Sequence, residues 1–163
     1  MKTMIPRAGI CAAAAAGAIM TFVLPRAAEA HHSFAMYDQQ QTKTLTGRLT
    51  RFIPGANHAQ LIFELVGPDG QPLPNKDGKP QLWGVETGPA AQIAQQGITV
   101  ESFPIGTIMT VTLNPLRNGK PFGALARDAG GVIIKCGMEM PEGGCNDQTG
   151  QVFMDQRGQR PAN

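Results

Sequence analysis

The residues best able to do chemistry are three histidines, His31, His32 and His58. His31 and His32 follow Ala28-Glu29-Ala30, which puts small residues at the two positions a signal peptidase reads. Cleavage between Ala30 and His31 would make His31 the first residue of the mature chain. An N-terminal histidine can chelate through its α-amino nitrogen and its imidazole together. A second imidazole can then complete a nitrogen-rich site suited to Cu(II) or Zn(II). Alternatively, the amine and the second-position imidazole of His32 can clasp copper through the intervening backbone nitrogen. Both kinds of group lose their protons close to neutral pH. The metal expectation therefore rests on His31, His32 and His58, with copper favoured and Met36 and Asp38 nearby. The plainer reading is two exposed histidines at a chain end and a loop histidine capping a turn.

This layout resembles the N-terminal histidine arrangement of copper mono-oxygenases and periplasmic copper carriers, through His31 and one distant histidine. Other constellations are sparser. Glu64 and Glu86 fall on expected strands; paired at a barrel mouth they would do acid–base work, while apart they are solvent-facing strand residues. Ser33 has no accompanying acid or oxyanion motif. Phe34, Tyr37 and Trp83 would line a ligand groove or pack at a barrel end. No phosphate loop, dinucleotide fingerprint or zinc-protease helix is present. No residue is assigned a catalytic role.

The totals mix two unlike pieces. The chain has 163 residues, with 14 basic and 12 acidic, a formal charge of +2. Lys2 and Arg7 precede an apolar run from Ala8 to Leu24, which Pro25 and Arg26 break. That charged, apolar, small-residue order is a secretory signal over residues 1–30. The rival reading is a membrane anchor, for which a 17-residue run is at the short limit. Cys11 lies inside the run, so it marks no lipoprotein site. Removing the signal leaves 133 residues with eleven basic and eleven acidic side chains. A neutral chain has no electrostatic reason to bind nucleic acid or anionic lipid. Two cysteines remain, Cys136 and Cys145, and an even pair in an exported protein reads as a disulfide. A redox or soft metal pair, helped by Met138 and Met140, is the alternative.

The elements that must position these residues are short strands. Expected strands cover Thr42–Ile53, with a bulge near Gly47, then His58–Val66, Gln81–Thr87, Gly106–Leu113, Phe122–Arg127 and Val132–Lys135. Pro68 to Pro80 reads as an exposed hairpin tip. Thr87-Gly88-Pro89 is placed to cap a short helix over Ala90–Gln96, closed by Gly97. Strand, strand, strand, helix, strand, strand is the order of an OB-like Greek-key barrel. The expectation is an all-β barrel of five or six strands with one short helix over residues 31–135. A β-sandwich also fits the spacing. Residues 136–163 are expected as a polar, cysteine-containing tail, frayed beyond Cys145.

Several stretches resemble the secreted bacterial domain-of-unknown-function family 6152. They are His31-His32-Ser33-Phe34-Ala35-Met36-Tyr37-Asp38, Leu45-Thr46-Gly47-Arg48-Leu49, Trp83-Gly84-Val85-Glu86-Thr87-Gly88, Pro104-Ile105-Gly106-Thr107 with Val111-Thr112, and Asn114-Pro115-Leu116-Arg117-Asn118-Gly119 with Gly123-Ala124-Leu125. Together they span most of residues 31–135. The family's Asn-Pro-His stands here as Gly55-Ala56-Asn57-His58, which keeps the histidine and loses the proline before it. The resemblance implies a small exported protein and names no activity. The leading expectation is thus a periplasmic protein that binds copper or another transition metal. A metal-free ligand- or protein-binding module, with a periplasmic protein as partner, comes second. A copper-dependent redox enzyme comes third.

Overall fold

A computed structural model describes residues 34–126 and 131–154. The expected signal segment, His31, His32 and Ser33 lie outside the described residues. After a short 3-10 turn (Phe34–Met36), the strands are β1 (Lys43–Ile53), β2 (Gln60–Leu65), β3 (Leu82–Glu86), β4 (Ile108–Pro115), β5 (Phe122–Leu125), β6 (Val132–Gly137) and β7 (Gln151–Met154). Helix α1 (Ala90–Ala94) joins β3 to β4.

Five strands close on themselves. β1 pairs with β2 and β4, β2 with β3, β3 with β5, and β5 with β4. All these pairings are antiparallel except β3–β5, which is parallel. The result is the small all-β barrel expected, and closure removes the free edges that five short strands would otherwise expose. Inside it, Leu49, Leu61, Phe63, Val85, Val111 and Leu113 have at most 1% of their surface exposed. Each such large side chain contributes about 1.5–3 kcal/mol on burial. Ile93 of α1 joins the same core.

Three local expectations are corrected. The irregularity of β1 lies between Leu49 and Arg51, not at Gly47. Gly47 has a different job: a Cβ there would run into the Phe63 ring and sit 2.6 Å from the Glu64 carbonyl. The glycine lets β1 and β2 approach around a large aromatic ring. The helix is also shorter than expected, and no side chain caps it. Thr87 instead bonds back to the residue before β2, its backbone N–H to the Ala59 carbonyl at 2.9 Å and its hydroxyl to the same oxygen at 3.2 Å.

The third correction concerns the tail. Cys136 lies within β6, and β7 pairs antiparallel with β6 over Gln151–Met154. The sheet therefore has seven strands and runs past residue 135. Phe153, 5% exposed, packs edge-on to Phe103 with ring centres 5.2 Å apart. One buried aromatic anchors an otherwise polar segment, and polarity alone gave no sign of it. Cys136 and Cys145 form the expected disulfide, with Cα atoms 5.6 Å apart. It ties the connection between β6 and β7 to the barrel, where the Thr110 hydroxyl donates to the Cys145 carbonyl at 2.7 Å.

Candidate functional site

Side chains alternate across a strand. With Leu61, Phe63 and Val85 turned into the core, Gln60, Ile62 and Glu64 of β2 and Leu82, Gly84 and Glu86 of β3 face outward. The register sets Gln60 opposite Glu86, and Glu86 beside Ala124 of β5. Past the strand ends the ladder continues, because the Ala59 N–H donates to the Gly88 carbonyl at 3.0 Å. That continuation brings His58 alongside Thr87.

His58 Nδ1 lies 3.1 Å from the Thr87 carbonyl oxygen and 3.6 Å from Glu86 Oε1. A carbonyl only accepts, so the neutral imidazole carries its proton on Nδ1. The two side chains retain 34% and 15% of their exposure, so the pair is sheltered but reachable. Glu86 Oε1 is itself buried and has no hydrogen-bond partner. A buried carboxylate oxygen left unpaired carries a desolvation cost and asks for a reason.

The third member is Tyr37. It forms an isolated bridge with Leu116, just past β4, and the Asp38 N–H donates to the Pro115 carbonyl at 2.8 Å. Asn114 Nδ2 donates to the Gln41 carbonyl at 2.8 Å, so the segment before β1 is fastened at several points. Tyr37 is 2% exposed and packs beside the Glu86 carboxylate. Burial first, then the negative charge of Glu86 and its pull on the hydroxyl proton, push the phenol well above its ordinary range. It therefore stays protonated.

Of the expected metal ligands, only His58 lies among the described residues. Met36 is 51% exposed in the 3-10 turn, and Asp38 Oδ1 accepts from the Gln40 N–H at 3.2 Å. Among the described residues, no three His, Cys, Asp or Glu side chains are grouped to hold a metal. Glu64 and Glu86 do not pair: Glu64 lies opposite Leu82, at the other end of β3. Glu64 instead faces Arg48, 3.8 Å from its Nε. The sulfurs are also scattered. Cys136 and Cys145 are bonded to each other, Met138 lies against Gly106 and Met140 against Gly70. Tyr37 packs rather than lining a groove.

Trp83 packs against the core and also, with Glu64, Lys79, Pro80, Leu82 and Pro121, borders an open groove of about 670 Å³. Leu82, 51% exposed, provides its apolar floor. The groove lies between the outer face of β3 and the end of the Pro68–Pro80 loop.

These features define a class: a small closed β-barrel with a histidine–carboxylate pair on its outer face. The chain matches the family of unknown function DUF6152 over residues 20–125 and belongs to that family. No curated protein and no solved structure matches it.

Proposed function

We propose that the protein is an exported small metal-binding protein whose site is built from His31, His32 and His58, with copper as the favoured ion. The observation that carries this reading is the meeting of Tyr37 and His58 at one carboxylate, Glu86. His32 precedes Tyr37 by five residues. Five residues of extended chain span at most about 17 Å, a link long enough to let His32 approach His58. Metal-bound histidines commonly donate their other ring N–H to a carbonyl or carboxylate, and His58 stands beside both. Its role would be binding, buffering or delivery in the periplasm.

Intact mass of the exported protein tests whether His31 is the true N-terminus. Copper titration followed by electron paramagnetic resonance tests the site. The expected result is a nitrogen-rich Cu(II) signal that the combined His31→Ala, His32→Ala and His58→Ala variant loses. A signal that survives all three substitutions refutes the reading.

A second reading is a metal-free module that binds a ligand or protein partner. The groove beside Trp83 and Leu82 supports it, since an exposed leucine rimmed by Glu64 and Lys79 suits an amphipathic ligand. Leu82→Ser would weaken such binding without touching copper affinity.

A further inference from the structure

The geometry points to Glu86 and His58 as two ligands of a single divalent-cation site, Zn(II) or Cu(II), with the Thr87 carbonyl as a further oxygen donor. This site takes His58 through Nδ1, the nitrogen that faces Glu86 and Thr87, whereas the N-terminal site of the proposed function would take it through Nε2, so this inference goes beyond that reading and is independent of His31 and His32.

Two observations meet here. Donor atoms about 2.1 Å from one ion at tetrahedral angles lie about 3.4 Å apart. Glu86 Oε1 and His58 Nδ1 are 3.6 Å apart, and the Thr87 oxygen is 3.1 Å from the same nitrogen. Both oxygens thus stand at about one ion's donor spacing from the same ring nitrogen. Secondly, Glu86 Oε1 is buried and has no partner. A cation supplies the partner that this oxygen lacks.

The proton balance is simple. The cation takes the place of the Nδ1 proton, which moves to Nε2 by way of solvent, so the imidazole stays neutral. The carboxylate charge offsets half the charge of the ion. An oxygen-rich set with one imidazole disfavours Cu(I), which prefers sulfur ligands. Tyr37 lies outside the ligand set: it packs beside the carboxylate and shelters it from solvent.

The test uses the exported protein stripped of metal with a chelator. Zn(II) and Cu(II) are titrated in competition with a coloured chelator, against wild type, Glu86→Gln and the His31→Ala/His32→Ala pair. Glu86→Gln keeps the side chain's shape and removes its charge; circular dichroism checks that it folds. It is expected to bind Zn(II) at least about tenfold more weakly, no less than the loss of an outer-shell partner costs. Equal affinity in folded wild type and Glu86→Gln overturns the inference. If the histidine pair abolishes binding and Glu86→Gln does not, the N-terminal site stands and this one falls. The reverse pattern sustains this site and removes the N-terminal one. No Zn(II) or Cu(II) binding by wild type overturns both. If Glu86→Gln fails to fold, nuclear magnetic resonance of zinc-loaded wild type decides: a proton on Nε2 of His58 is expected, and one retained on Nδ1 refutes the assignment.

Discussion

Tyr37→Phe removes one oxygen atom and nothing else from the core end of the candidate site. The residue is buried and its hydroxyl lies beside the Glu86 carboxylate. A hydrogen bond between the two would contribute about 1.5–3 kcal/mol, which the substitution removes. For a domain of this size that lowers Tm by roughly 5–10 °C near neutral pH. The pH dependence gives a second and sharper readout. Burial and the Glu86 charge raise the phenol above its usual value of about 10. Below pH 10 both native and unfolded chains hold the proton, and the stabilisation is fully present. Above it the unfolded chain releases the proton while the native chain keeps it. Native stability then falls by about 1.4 kcal/mol per pH unit until the native phenol also ionises. Tyr37→Phe has no proton to lose, so the two stability curves converge above pH 10. The assay is clean because Tyr37 is the chain's one tyrosine. Phenolate absorbance therefore reports this group alone. In denaturant it should appear near pH 10, and in the native protein only well above that or on alkaline unfolding. A native tyrosine that ionises at about pH 10, or a Phe variant as stable as wild type, refutes the Tyr37–Glu86 contact.

Other substitutions probe the frame around the site. Gly47→Ala drives a methyl group at the Phe63 ring and the Glu64 backbone; overpacking of this kind costs about 1–3 kcal/mol, visible as a lower urea midpoint. Replacing Cys136 and Cys145 together by Ser opens a ring with a sequence separation of 9. That should cost about 2–3 kcal/mol, with reduction of wild type giving the same shift; an unchanged midpoint would mean that the bond constrains nothing. Asn114→Ala deletes the amide that holds the Gln41 carbonyl. It should cost about 1–3 kcal/mol and speed proteolysis between residues 38 and 42, while equal cleavage rates would show that this bond does not fasten the segment.

How far the sequence reveals the fold depends on which forces write themselves locally. The strands are legible because Leu61, Phe63 and Leu65 alternate with Gln60, Ile62 and Glu64, and a half-buried strand needs that period. The disulfide is legible from the even pair of cysteines that the expected signal cleavage would leave. β7 is not: Phe153 finds its burial against Phe103, fifty residues away. The candidate site is hidden for a related reason. An outward Glu at the end of a strand reads as solvated, and Glu86 departs from that rule because Tyr37, from before β1, crosses to it. In the sequence the histidine stands out only by its place after a turn, and the glutamate only as a candidate partner for Glu64, a pairing the register forbids. What joins His58 to Glu86 is the pairing of Gln60 with Glu86, a fact of strand register set by the whole barrel. A local pattern can specify each donor, but only closure of the sheet brings nitrogen and oxygen to one ion's spacing. Chemistry that depends on residues 37, 58 and 86 together is therefore a property of topology. A change that slips β2 against β3 by a single residue would abolish it while leaving every one of those side chains in place.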